Sequence, residues 1–348
     1  MTNHSERRSD SPRRAARVLL VTGSYPPDAC GVGDHSHALV TALERAGVDV
    51  EVYCRKDWSV LTILKHSRAW RAARVDTIIL AHPTDGYRKS PAPNFALAPP
   101  QRARKIVVLH EFSRKSRSGK LACYLFFHFA DWMVFTSEIE RSAALKAAPW
   151  LAGRSSVIPL ASSIPVRERR PPDIDVACFG LIRPGKGIED FLDIIERAAL
   201  PQSARVRIIG QTAAGLEAYA DAISDRLAAL GGEVIRNLPP DQAADHLSRT
   251  RIVVLPFPDG ISKRRSSALA VMANGALVLT ITPRHDQDLF DRICLSAPNP
   301  RALGELLVEV LADPAKFEHI ADAGMDYARS LDWDGVVDAW LPLLTEGR

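Results

Sequence analysis

The chain has 348 residues, too many for one ordinary α/β core and the right length for two domains of usual size. Hydrophobic residues at 46% and charged residues at 25% exclude a disordered or fibrous chain and supply a normal buried core. A formal charge of +4 suits anionic small ligands or an anionic membrane surface and is too weak to argue for nucleic acid.

Residues 1–16 carry Arg7, Arg8, Arg13 and Arg14 with no apolar run behind them, so a disordered basic tail is expected there rather than a secretory signal. Short β-branched runs then recur at 17–22, 48–53, 77–80, 105–109, 132–136 and 156–159, each followed by an amphipathic stretch. That alternation predicts a parallel sheet covered by helices over 17–163. The longest apolar stretch, 121–135, contains His128 and Asp131 and falls short of the roughly 20 residues of a membrane span. It reads as a buried helix running into a strand. Residues 164–173 hold three prolines and dense charge, as a linker does. A second series of runs begins at 174 and continues to 331, which predicts a second Rossmann-like domain. Residues 332–348 show apolar positions at helical spacing and are expected to pack as a helix against the body. The five cysteines lack the spacing of zinc or redox sites, which fits a reducing compartment and no structural metal.

Ligands of such sheets sit beyond the carboxyl ends of the strands, so the loops after the runs carry the candidate chemistry. After the first run, Gly31-Val-Gly33 enters a helix; the pair either brings backbone N–H groups to an anion or only relieves backbone strain. After the third, Asp85 and Tyr87 can hydrogen-bond ligand hydroxyls or form a surface turn. After the fourth, His110 and Glu111 face the expected cleft, with a satisfied structural histidine as the alternative. The second half opens with Phe179-Gly-Leu-Ile-Arg-Pro-Gly-Lys-Gly187, whose glycines, helix start, Arg183 and Lys186 together suit a diphosphate; a solvated basic turn is the other reading. Later, Asp259, Gly260 and Ser262 precede Lys263, Arg264 and Arg265, three cations that repel one another unless solvated or facing an anion.

These loops, in this order, resemble the GT4 family of retaining glycosyltransferases over nearly the whole chain. Tyr25-Pro-Pro with Gly31-Val-Gly33 is similar to the family's glycine loop, 179–187 to its phosphate-binding segment, and Ala270-Val-Met-Ala-Asn-Gly-Ala-Leu-Val278 to its final helix and strand. Two glutamates of the usual motif are replaced here by Ser262 and Ala270, and Leu181 stands where the family has arginine, with Arg183 two residues on. A subgroup with Asp-Gly-x-Ser-x-Arg-Arg is matched by Asp259, Gly260, Ser262, Arg264 and Arg265. The resemblance implies a GT-B fold, two Rossmann-like domains facing each other across a cleft. It also implies sugar transfer, with retention, from a nucleotide-diphosphate sugar to a glycan or lipid-linked acceptor, without a metal or other cofactor. On that basis Lys186 with Arg264 or Arg265 neutralises the leaving diphosphate, N–H groups at Gly31 to Gly33 cap it, His110 is catalytic, and Asp85, Tyr87 and Glu111 meet the acceptor. The replaced glutamates leave open a silent nucleotide-sugar-binding scaffold, and the shared architecture leaves open a nucleotide-sugar epimerase. For a cytoplasmic protein, the basic tail and the basic stretch 114–120 suggest either attachment to the inner face of a membrane or, in the other reading, arginines that only keep a flexible tail soluble.

Overall fold

The computed structural model describes residues 16–88 and 90–345; apart from Ala16, the expected basic tail lies outside the described residues. Strands and helices alternate through β1 (Arg17–Thr22), α1 (Gly31–Arg45), β2 (Asp49–Cys54), α2 (Ile63–Ala72), β3 (Thr77–His82), α3 (Ala92–Ala96), β4 (Arg104–Leu109), α4 (Arg117–Phe129), β5 (Trp132–Phe135), α5 (Glu138–Ala147) and β6 (Ser155–Val157). A second series follows: β7 (Ile174–Ile182), α6 (Ile188–Ala198), β8 (Val206–Thr212), α7 (Glu217–Ala229), β9 (Glu233–Arg236), α8 (Pro240–Ser248), β10 (Thr250–Leu255), α9 (Ser266–Ala273), β11 (Leu277–Ile281), α10 (Gln287–Ile293) and β12 (Leu295–Ala297). Three helices close the chain: α11 (Pro300–Ala312), α12 (Glu318–Arg329) and α13 (Trp333–Thr345).

Each series builds one six-stranded parallel sheet, in the orders β2-β1-β3-β4-β5-β6 and β12-β11-β10-β7-β8-β9. Covered on both faces, the central strands are apolar at nearly every position, as in β3, which is buried throughout. Alternate residues serve opposite sides of the first sheet. Leu19 and Val21 meet α2, α3 and α4 through Trp70, Ala96 and Phe126, whereas Val18 and Leu20 meet α1 and α13 through Leu39, Leu43 and Trp340. Chain order reverses between β1 and β3 in one sheet and between β7 and β10 in the other, so a crevice opens at the carboxyl ends of each pair.

The connection at 164–173 is bound to the second domain. Arg167 donates its N–H to Asn274 Oδ1 at 2.8 Å, Arg170 donates its N–H to the Ser248 carbonyl at 2.9 Å, and Arg329 reaches back to the Arg167 carbonyl at 3.1 Å. After α12 the chain returns to the first domain, where α13 lays Val336, Val337, Trp340, Leu343 and Leu344 on the sheet and on α1. The stretch 121–135 is half as expected: α4 runs toward β5, but only one side of it is buried, and Leu121 and Tyr124 face solvent. The basic stretch 114–120 is likewise a loop only to Ser116, which caps α4 by accepting the Gly119 N–H at 3.2 Å.

Trp340 is among the largest fully buried side chains and is carried by the last helix. Trp340→Ala is expected to cost about 3–5 kcal/mol, the range for emptying an aromatic site in a core, read as a lower urea midpoint. An unchanged midpoint would show that α13 is not part of the first domain's core.

Candidate active site

The loops after β1, β3, β4, β7 and β10 converge on a cavity of about 850 Å³ between the two sheets, a size typical of small-molecule sites. Its second-domain wall begins with the turn after β7. Gly187 has φ +80°, and a Cβ there would lie 2.1 Å from the Pro256 carbonyl oxygen, so only glycine lets this turn sit against the loop after β10. The tight turn presents Arg183 and Lys186 just ahead of α6, whose first N–H groups have no partner within the helix.

The cations of this wall are paired unequally. Arg183 reaches across the cleft to Asp85 at 3.0 Å. Arg264 lies 3.4 Å from the fully buried Glu140 and 3.9 Å from Glu111, close enough for charge attraction, yet its Nη1 has no hydrogen-bond partner. Arg265 pairs with Asp259 and lies over the Phe257 ring, 4.2 Å from its centre; Arg114 of the first domain pairs with the same Asp259. Lys263 turns away to Asp286 at 3.0 Å. Lys186 alone of these has no carboxylate within ion-pair distance among the described residues. Burial, then the neighbouring Arg183 and Arg265, push its ammonium below the usual lysine range.

The first-domain wall is built by α1 and the loops after β3 and β4. Gly31 and Val32 open α1 onto the cavity, and a Cβ on Gly31 would meet open space. One turn on, burial pushes the Asp34 carboxyl up to about 6. His110 is buried, its ring packed edge-on to His35 at 5.2 Å, and His35 in turn lies 5.4 Å from Trp333 of α13. Burial, then His35, holds His110 well below the usual histidine range, so the ring is neutral at pH 7 and its Nε2 has no protein partner. Glu140 fixes the loop that carries this histidine, accepting the Phe112 and Ser113 N–H groups at 2.6 and 2.7 Å and the Ser113 hydroxyl at 2.8 Å.

Gly31, Asp85, His110, Glu111, Arg183, Lys186, Arg264 and Arg265 therefore line one cavity. Five other candidates do not. Tyr87 turns inward, buried between Trp58 and His82 with its hydroxyl donating to the Val21 carbonyl at 3.4 Å, so it cannot meet an acceptor. Gly33 is buried behind the wall, where a Cβ would lie 2.9 Å from the Ser24 carbonyl oxygen; its bareness serves loop packing. Gly260, at φ +79°, is needed for a turn pressed against the Thr282 carbonyl, Asp259 is taken up by two arginines, and the Ser262 hydroxyl is buried off the wall. The cation run is thus neither a solvated turn nor wholly aimed at a ligand, because protein carboxylates meet each member.

Sequence reasoning missed Glu140, Asp34, His35, Thr136 and Trp333. Ser137-x-x-Glu140 has the spacing of a helix capping box, and Ser137 does cap α5, but the Glu140 carboxylate turns instead to a loop distant in sequence. Among the described residues, no group of three His, Cys, Asp or Glu side chains is arranged to hold a metal ion.

No protein-family profile matches the sequence, and no curated protein is recognisably similar to it. Solved structures match over almost the whole chain. HepE from Anabaena, solved with UDP and glucose, is 15% identical with a TM-score of 0.70 and covers 95% of this chain and 99% of its own. Sucrose-phosphate synthase from Thermosynechococcus elongatus is 16% identical with a TM-score of 0.71, covering 94% and 98%. An alpha-glucosyltransferase, solved with UDP-glucose and DNA containing an abasic site, is 13% identical with a TM-score of 0.64, covering 95% and 99%. The chain has the GT-B fold of these glycosyltransferases.

Asp34 gives a pH test of the cavity. Its carboxyl protonates near 6 in the folded chain and near 3.8 in a free one, so the folded protein binds the extra proton and its stability falls as pH rises through that window. Asp34→Asn is expected to be more stable than the parent at pH 7, by on the order of 1–3 kcal/mol. The gain should vanish below pH 3.8. A difference that is constant with pH in chemical denaturation would contradict the raised carboxyl.

Proposed function

We propose that the protein is a retaining glycosyltransferase of the GT4 type that moves a sugar from a nucleotide-diphosphate donor to a glycan or lipid-linked acceptor. The observation that carries this reading is Lys186, a half-buried ammonium at a helix start, flanked by Arg183 and Arg265 and without a carboxylate partner among the described residues. Cations held together out of water call for an anion between them, and a diphosphate supplies one. The N–H groups at Gly31 and Val32 approach the same anion from the first domain.

As the bond from C1 of the sugar to the diphosphate oxygen breaks, negative charge collects on that oxygen and positive charge on the sugar ring. Lys186 and Arg264 then stabilise the transition state more than the bound donor. The acceptor oxygen attacks C1 from the side the diphosphate leaves, its proton passes to the departing phosphate oxygen, and the configuration at C1 is retained. Neutral His110 offers a hydrogen bond to a sugar hydroxyl rather than a charge, and Asp85 and Glu111 receive the acceptor's hydroxyls. Protein cations carry the role a divalent ion would otherwise have, and the cleft carboxylate Asp259 is already held by Arg265 and Arg114. Ala270, on the cavity wall in place of a glutamate, leaves a small apolar surface, in keeping with a subgroup that holds its donor through arginines. Two of the neighbours were solved with UDP or UDP-glucose, which makes uridine diphosphate sugars the first donors to try. The reaction takes place in the cytoplasm, at the inner face of a membrane.

A panel of nucleotide sugars should raise the melting temperature when the donor is met, by mass action on the folded state. With that donor, Lys186→Ala is expected to lower transfer about 100- to 1,000-fold, as for loss of one preorganised donor in other active sites, while the fold survives. Arg264→Ala should lower transfer and also the melting temperature, because Glu140 then stays buried without its cation. Full turnover by Lys186→Ala at saturating donor would remove Lys186 from the mechanism. Donor binding with no product from any acceptor would favour a binding protein, and an isomer formed from donor alone would favour an epimerase.

A further inference from the structure

Seven of the nine large hydrophobic side chains exposed among the described residues belong to the first domain, and they cluster beside α2, α3 and α4. Leu61, in the turn that leads into α2, is 95% exposed, and Leu64 follows one turn later. Phe95 projects from α3, while Leu121 and Tyr124 stand three apart on α4 beside Trp150, whose ring centre is 6.4 Å from that of Tyr124. These three helices cover the side of the sheet opposite α1 and α13, so the tips share one outward face. Helical spacing sets Arg68 four residues beyond Leu64 and Arg117 four before Leu121, which places a cation at the end of each apolar stripe.

The charge of this region is as one-sided as its apolarity. From Trp58 to Ala130 the sequence holds 13 lysines and arginines and 3 acids, in a chain with 45 and 41 overall. The helices α2, α3 and α4 contain no acid at all. Arg68, Arg102 and Arg117 are exposed and form no ion pair with any described residue.

We propose that this face of the first domain docks on the surface of an anionic phospholipid bilayer, with Leu61, Leu64, Leu121 and Tyr124 entering the headgroup layer and Arg68 and Arg117 meeting lipid phosphates. Apolar tips with cations beside them are what an interfacial site requires. A second copy of the chain is disfavoured, since two faces on which cations far outnumber acids repel. Nucleic acid shares the charge but gains nothing from exposed aliphatic tips, because bases stack on aromatic rings. No helix among the described residues is long and apolar enough to cross a membrane, so the contact is with the surface. The β4–α4 loop joins the docked helix α4 to His110 and Glu111 in the cavity, which sets the acceptor side of the site toward the lipid.

The test is co-sedimentation of the full chain with phosphatidylglycerol-containing vesicles and with pure phosphatidylcholine vesicles, with no sugar donor present, so that it stands apart from the transferase reading. The parent is expected to bind the anionic vesicles at low salt and at least ten times more weakly the neutral ones. Leu61→Asp with Leu64→Asp, and separately Arg68→Glu with Arg117→Glu, should each weaken binding at least tenfold. All four positions are exposed, and an unchanged melting temperature and circular dichroism spectrum verify the fold of each variant. Vesicle binding that both folded variants retain would overturn this face as the docking site and move attachment elsewhere, such as the arginines of residues 1–15. No vesicle binding, with or without binding to duplex DNA, would overturn the proposal outright.

Discussion

Lys186, Arg183, Arg264 and Arg265 share one cleft in which burial deprives them of water, and the cleft does not neutralise them evenly. Three are held by carboxylates from several elements: Asp85 on Arg183, Glu140 and Glu111 on Arg264, Asp259 on Arg265. Several of these pairs span the two domains, so the fourth cation is left facing the cavity by the contacts that hold the walls together. The diphosphate proposed above would recover the energy of desolvating Lys186. Glu140 has a particular place in this arrangement. Fully buried, it is held by two backbone N–H groups and a hydroxyl, and it presents its remaining charge to a residue of the other domain.

The two sheets were legible from the amino-acid order because parallel strands covered on both faces are apolar at nearly every position, and a run such as 77–80 has few other places to go. The turn after β7 was legible for a related reason: Gly185-Lys-Gly187 joins a strand to a helix within a few residues, and close approach of that backbone to the next loop demands glycine. What the order of residues did not disclose was direction. Asp85 and Tyr87 sit two residues apart in one short turn, yet one faces the cleft and the other fills a space between Trp58 and His82. Packing from β1 and from the loop between β2 and α2, distant in sequence, makes that choice.

The same limit applies to Asp259 and the three cations after it. Charge repulsion within a run says that counter-charges must exist, but not whether a ligand or the protein provides them. Here Arg114, Glu140 and Asp286, more than twenty residues away from the run or in another domain, decide the outcome. Asp34 was hidden for a simpler reason, since an acid in the first turn of a helix is the ordinary favourable placement, and only the depth of the cavity wall reverses its chemistry.

The return of α13 to the first domain means that the backbone passes between the domains twice, once near residues 162–167 and again near 329–333. The two passages lie side by side: the Trp333 indole N–H donates to the Ser162 carbonyl at 2.7 Å, and Arg329 donates to the Arg167 carbonyl at 3.1 Å. Two adjacent covalent links behave as a door hinge, which leaves rotation about the line through them soft while sliding and twisting are resisted. Trp333 stands on that line with its indole against His35, itself packed edge-on to His110. Rotation about that line would change spacing least at the histidine end of the cavity, next to the pivot.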